Sequence, residues 1–385
     1  MQYRKLKGDK LFDGHRFVPD GVLVVLKDGT IKDIISSKEA GEDFENVEGI
    51  LVPGFINCHC HLELSHLKKV IPTGTGLVDF LISVVQKRGI EVEDKEAMIE
   101  AAANEMYENG IAGVGDICNT LDAINTKMKS KIRWHNLIEV INFFDLNLDK
   151  QLTAYNEVVA GHKGNQLTAV LTPHAPYTVS SATFKKINEL TAGQIISIHN
   201  QETKSEDELF SSGTGDFLKM YGVFMDGKSP FSISGKSSLQ TWLPYFTNGQ
   251  TILLVHNTFI AEADILFAAQ HADKYGLNIF YCLCPNANLY IENTLPPIDL
   301  LRKHDCKIVV GTDSYSSNWQ LNIAAELKTI AQNFPHIPKE QILHWATANG
   351  AEAMGWSSDL GSFKMGAKPG VVSVNENDFK IKRIL

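Results

Sequence analysis

Histidines and carboxylates gather where short apolar runs of this chain end. Asn57-Cys58-His59-Cys60-His61 closes one run, Thr172-Pro173-His174 another and His199-Asn200-Gln201-Glu202 a third, with Val255-His256-Asn257 and Gly311-Thr312-Asp313 closing two more. Successive side chains of a strand alternate, so His59 and His61 share one face while Cys58 and Cys60 take the other. Two imidazoles on one strand face can grip a single ion from the same side. A third imidazole from His199 and a carboxylate from Asp313 complete a nitrogen-and-oxygen set suited to one divalent metal ion. Zinc is the default, and iron, manganese or nickel are compatible with the same donors. A second metal is not expected, because no lysine stands beside Thr172-Pro173-His174 to bridge two ions. The cysteines at 58, 60, 282 and 284 are read as core, despite their alternate spacing. Isolated histidines (His15, His66, His135, His162, His271, His304, His336 and His344) are read as core or surface residues.

These side chains need a frame that delivers strand ends to one place. Eight apolar runs of strand length recur: Leu51–Asn57, Ala112–Ile117, Ile132–Ile141, Leu167–Thr172, Gln194–His199, Thr251–His256, Asn278–Cys284 and Lys307–Thr312. Between them lie segments of helical spacing, such as Lys95–Asn109 (Met98, Ala102, Met106) and Ala182–Ala192 (Phe184, Ile187, Leu190), with Gly110, Gly161, Gly193 and Gly276 placed as C-caps. Nearly continuous apolar strands alternating with helices predict an α/β fold with a parallel sheet covered by helices. Eight such units fit a (β/α)8 TIM barrel over residues 51–359, whose reactive groups belong at the C-terminal strand ends. An open doubly wound sheet would want a glycine-rich phosphate loop after an early strand. None stands there, and Gly74-Thr75-Gly76 is read as loop. Both chain ends read as short strands, so residues 1–50 and 360–385 are expected to form one small composite β-sandwich domain. The long stretch Glu202–Asn248 is expected to cover part of the site.

Composition narrows the function. The 385 residues carry a formal charge of -9 at neutral pH, which disfavours nucleic acid as a partner. The first residues lack the apolar stretch of a signal peptide, and no run reaches the length of a membrane helix. Six cysteines in a chain this long suggest no disulfide framework. A cytoplasmic enzyme acting on a small molecule, away from membranes, is expected; a homo-oligomer is compatible with the chain.

The ordered set His59-x-His61, His199 followed by Glu202, His256, and Gly311-Thr312-Asp313-Ser314 resembles the amidohydrolase superfamily, in its deaminase and chlorohydrolase branch. Gly54 to Ser65, His174-Ala175-Pro176-Tyr177, Cys284-Pro285-Asn286 and Asp313-Ser314-x-Ser316-Ser317-Asn318 are most similar to motifs of aminofutalosine deaminases, several shared with deaminases of S-adenosylhomocysteine and methylthioadenosine. Ala367-Lys368-Pro369-Gly370 departs from the usual ending, away from the site. The resemblance implies hydrolytic deamination of an amino-substituted heterocycle, an adenine-containing nucleoside first. It assigns Asp313 as proton acceptor, His256 as the group that orients water and could complete the metal shell, and Glu202 as the acid that protonates a ring nitrogen. Alternatively, Glu202 belongs to a solvated acidic run. His174 is a substrate contact or a structural histidine, and Glu63 binds sugar hydroxyls or pairs with a lysine such as Lys68. Asn119, Ser316 and Asn318 are weaker substrate candidates, Asn318 alternatively capping a helix near Trp319. The competing functions are hydrolysis of a cyclic amide or a chlorinated triazine, and a catalytically silent barrel that binds a metal or nucleoside. The H-x-E with P-C-x-x-C of small zinc deaminases is absent.

Overall fold

The computed structural model describes residues 3–145 and 148–385. Among the described residues there are fourteen strands, β1 (Tyr3–Leu11), β2 (Gly21–Leu26), β3 (Ile31–Ser36), β4 (Glu45–Pro53), β5 (Phe55–Cys60), β6 (Ile111–Cys118), β7 (Arg133–Val140), β8 (Thr168–Pro173), β9 (Ile195–Asn200), β10 (Thr251–His256), β11 (Asn278–Leu283), β12 (Ile308–Val310), β13 (Val371–Val374) and β14 (Ile381–Arg383). β5 to β8 form one four-stranded parallel sheet and β9 to β12 another, each in sequence order. Every residue of β5 is buried, as are all but the first one or two of β7, β8, β9, β10 and β11. Strands packed on both faces cannot alternate polar with apolar, which explains their continuous apolar sequences.

The two sheets lie edge to edge at both seams. The Ser197 amide donates to Thr172 Oγ1 at 2.7 Å and the His199 amide to the His174 carbonyl at 3.0 Å. At the other seam the Thr312 and Asp313 amides both donate to the His59 carbonyl at 3.0 Å. Gly311 makes that approach possible, because a Cβ there would lie 2.7 Å from His59 Cβ. The result is a mixed α/β fold with the C-terminal ends of both sheets on one side.

The chain ends join in a single six-stranded sheet ordered β14-β13-β4-β1-β2-β3. Arg383 ties it to the larger unit by donating to the carbonyls of Tyr107 and Ile111. Leu51, Val52 and Pro53 pair with β13, so the first expected strand begins at Phe55 rather than Leu51. Gly161 is no C-cap: it sits inside the helix Leu148–Gly164, where a Cβ would meet Leu121 at 2.8 Å. The helix Lys95–Glu108 buries Ile99, Ala102, Ala103 and Met106, while Met98 faces solvent. Likewise Leu190 is exposed beyond the buried Phe184 and Ile187. Among the described residues no helix is long and apolar enough to cross a membrane.

Candidate active site

Three of the strand ends that carry chemistry are bent by a residue with positive φ: Gln201 at 45°, His256 at 74° and Asp313 at 58°. Such conformations cost about 1–3 kcal/mol each for non-glycine residues and persist only where surroundings hold them. Here the holding bonds are visible. The Asn257 amide donates to Asn200 O and the Phe259 amide to Gln201 O. Asn57 and Thr312 exchange two bonds of 2.8 and 3.0 Å, and Ser317 Oγ donates to Asp313 Oδ2 at 2.6 Å. Glu206, which sequence reasoning missed, accepts from the amides of Gln201 and Glu202 and so fixes the turn after His199.

The strands bring His59, His61, His199, His256 and Asp313 together. His61 Nε2 lies 3.2 Å from His59 Nε2, and Asp313 Oδ1 lies 3.6 Å from the latter and 3.4 Å from the former. His59, His199 and His256 form one group with the reach to hold an ion, and His59, His61 and Asp313 another, so His59 belongs to both. His199 Nδ1 is engaged with the His174 carbonyl at 2.8 Å, which leaves Nε2 as its open nitrogen. His256 Nε2 is buried with no hydrogen-bond partner among the described residues.

Burial pushes His59, His61 and His256 well below the ordinary histidine range, and His199 down in the same direction. They are neutral and offer lone pairs. Burial opposes ionisation of Asp313, yet His61, His256 and the Ser317 hydroxyl hold its carboxyl below its usual value. Neutral imidazoles, each with one lone pair to offer, crowded beside an ionised carboxylate are the donor set a divalent cation satisfies.

A cavity of about 310 Å³ opens onto this cluster and is lined by His61, His199, His256, Asp313 and Glu202 together with Asn119, His174 and Ser316. Glu202 is buried, and burial, with Asp313 and Glu206 nearby, raises its carboxyl well above the usual range. Its Oε1 lies 3.5 Å from His256 Nε2. Glu202 is therefore no solvated member of an acidic run. The cavity's other wall is apolar, with Leu77, Phe80 and Val84 from the helix Leu77–Lys87 facing Met220 and Phe224 of the helix Phe217–Phe224. Part of the Glu202–Asn248 stretch thus does cover the site.

Glu63 is engaged by a neighbouring loop and by Arg88, whose Nη2 lies 3.7 Å from its Oε1, and not by Lys68. Its oxygens accept from the Asn119 and Thr120 amides and the Thr120 hydroxyl, it does not line the cavity, and Lys68 pairs with Glu105 instead. Asn119 does line the cavity, but its amide group donates to the Glu139 carbonyl and to Glu139 Oε2. Asn318 neither lines the cavity nor caps a helix. It donates to Thr312 O and Glu326, while Asn322 caps the helix Ile323–Asn333. Glu139 was not foreseen. Burial raises this carboxyl, on β7, to about 7. A lone carboxylate in the apolar run 132–141 was its only sequence signal. All six cysteines are free, and those at 58, 60, 282 and 284 are buried.

The amidohydrolase family model matches residues 50–384. Aminodeoxyfutalosine deaminase of Nitratiruptor sp. is 26% identical over 343 residues, 85% of this chain and 80% of that protein. The Helicobacter pylori aminofutalosine deaminase in complex with methylthio-coformycin superposes with a TM-score of 0.81 at 22% identity, covering 98% of this chain and 93% of the other. An adenosine deaminase from Xanthomonas campestris with bound zinc gives 0.70 at 20% identity, over 97% and 84% of the two chains. The likeness in fold spans the strands that carry the histidines and Asp313, and the family match runs from β4 nearly to the C-terminus: the chain belongs to the amidohydrolase family.

Proposed function

We propose that this protein is a metal-dependent hydrolytic deaminase of an adenine-containing nucleoside. The reaction runs at the C-terminal strand ends of a (β/α)8 barrel that begins at β5 and extends to residue 359, flanked by the single six-stranded sheet that both chain ends build and that takes in Leu51 to Pro53 rather than by the two-sheet sandwich expected from the sequence. The observation that carries the reading is Glu202. It is a buried carboxyl held protonated at the mouth of a histidine and aspartate cluster, which suits a substrate whose ring nitrogen must receive a proton. Deamination by the relative named for aminodeoxyfutalosine supports the same chemistry.

His59, His61, His199 and Asp313 would hold the ion, with His256 Nε2 free to join them, and zinc is favoured by the donor set and by the zinc-bound adenosine deaminase of similar fold. When bound, the metal supplies Lewis acidity that brings the pKa of a coordinated water toward neutrality. Asp313 takes one proton from the attacking water. His256 orients that water through its unpartnered nitrogen. Glu202 gives its proton to the ring nitrogen beside the amine-bearing carbon, so no full negative charge develops on the ring. Asp313 then passes its proton to the amine, the carbon–nitrogen bond breaks and ammonia leaves. Glu202 recovers a proton from the new hydroxyl as it becomes a carbonyl. Water's two hydrogens are thereby accounted for, and the enzyme returns to its starting state. His174 and Ser316 contact the substrate from the cavity wall.

Ammonia release from aminodeoxyfutalosine, methylthioadenosine, S-adenosylhomocysteine, adenosine and guanine tests the proposal. Selective release from a nucleoside is expected. Hydrolysis of a cyclic amide or a chlorotriazine, with silence on every nucleoside, would overturn it.

A further inference from the structure

Glu139 presents one satisfied oxygen and one bare one. Oε2 accepts from Asn119 Nδ2 at 3.3 Å. Oε1 is buried without a partner among the described residues, and the residue lines the cavity. His199 Nδ1 lies 3.7 Å and His174 Nε2 3.8 Å from Oε1, both beyond hydrogen-bond reach.

Neither ring has a proton to spare for it. His199 Nδ1 spends its hydrogen on the His174 carbonyl at 2.8 Å. The Thr178 hydroxyl donates to the Ala175 carbonyl at 3.0 Å, so at 2.7 Å from His174 Nδ1 it can only accept. His174 therefore carries its hydrogen on Nδ1 and presents a lone pair at Nε2. When Glu139 is ionised, its Oε1 and His174 Nε2 are thus two acceptors 3.8 Å apart on one cavity, and Oε1 has no hydrogen-bond partner among the described residues. A buried acceptor left bare costs about 1–3 kcal/mol, so the missing donors are part of what the cavity is built to receive.

We propose that Glu139, with His174 beside it, is a substrate-recognition residue that accepts hydrogen bonds from the vicinal hydroxyls of the substrate's sugar. The inference rests on the nucleoside reading above. A vicinal diol brings two adjacent hydroxyl hydrogens, one for each acceptor. The Glu63 carboxylate, turned into the Asn119–Thr120 loop, holds Asn119 against Glu139 and is a positioning residue rather than the diol's partner.

The test compares a preferred nucleoside with its 2′-deoxy and 3′-deoxy analogues, in zinc-loaded wild type, Glu139→Ala and Glu139→Gln, with metal content measured for each. In wild type, removing the bonded hydroxyl should lower kcat/KM by about 10- to 100-fold, the range for a hydrogen bond to a charged group. In the alanine variant that penalty should vanish, and in glutamine, whose carbonyl still accepts, part of it should return. A merely structural role would lower activity on all analogues alike. An equal deoxy penalty in wild type and both variants overturns the proposal alone. Where alanine fails to fold, the same comparison with glutamine decides. Silence of wild type on every nucleoside overturns the nucleoside reading and this proposal with it.

Discussion

Two buried polar clusters sit on neighbouring strands, and they differ in what they leave unsatisfied. Beneath the loop that follows His61, Lys127 Nζ lies 2.5 Å from Asp116 Oδ2, 2.6 Å from Asn136 Oδ1 and 3.1 Å from Cys118 Sγ. Asp116 Oδ1 accepts the Leu62 amide, and Asn136 Nδ2 donates to Thr168 O. Every charge there has an internal partner, and Asp116 raises Lys127 to the point that it stays protonated despite burial. The histidine cluster is also largely buried but ends in bare nitrogens and oxygens: His256 Nε2, Glu139 Oε1 and the crowded imidazoles of His59 and His61. Burial and ionisability alone do not mark a site. Unspent hydrogen-bonding capacity facing a cavity does.

The comparison can be broken at either cluster. The largest effect is expected at Asp313→Asn, which removes an anionic donor and the proton acceptor together; activity should fall by at least about 10⁴-fold, with metal content reduced. Glu202→Gln should separate the roles: a loss of about 10²- to 10⁴-fold in kcat with metal content unchanged, measured by ammonia release beside metal analysis. Loss of metal from that variant would place Glu202 among the ligands instead. At the satisfied cluster, Lys127→Met strands Asp116 in a dry interior and should cost about 3–5 kcal/mol of stability, read by denaturant unfolding. Specific activity of the fraction that remains folded should change far less than in Glu202→Gln, and an equal loss would erase the distinction drawn here.

The smallest effect is a slope. Burial lowers His135 to about 4, against 6.5 for an unperturbed histidine. Between those values the unfolded chain binds a proton that the folded chain refuses, so stability is present above pH 6.5 and lost as pH falls toward 4. One such group gives about 1.4 kcal/mol per pH unit in that window. His135→Asn should flatten the acid limb of the metal-free protein's stability by about that amount; an unchanged limb would mean that His135 is not held neutral.

Much of this was legible in the sequence because strand ends concentrate chemistry. His59, His61, His199, His256 and Asp313 could be gathered from four separated motifs, since parallel strands deliver their C-terminal ends to one side. Seven of the eight strand runs begin within a residue of their observed start, and the exception, Leu51, fails for a physical reason. Leu51 to Pro53 are as apolar as a strand of the larger sheet, but they are claimed by β13 from the far end of the chain. Local pattern cannot see a partner more than 300 residues away. The same limit hid Glu139 and misread Glu63. One sits in an apolar run where only the third dimension shows its bare oxygen, and the other beside the metal motif, yet turned into a loop 56 residues on. Gly161 was misread because a helix-interior glycine that admits Leu121 looks in sequence like a C-cap.

The most direct test of the central claim is to strip the protein of metal, titrate zinc back and follow bound metal and ammonia release from aminodeoxyfutalosine or methylthioadenosine in the same samples. The account predicts that activity rises in proportion to occupancy and saturates at one metal per chain, while Glu202→Gln binds the same metal and stays silent. Full occupancy without deamination of any nucleoside, or deamination that persists in the metal-free protein, would contradict it.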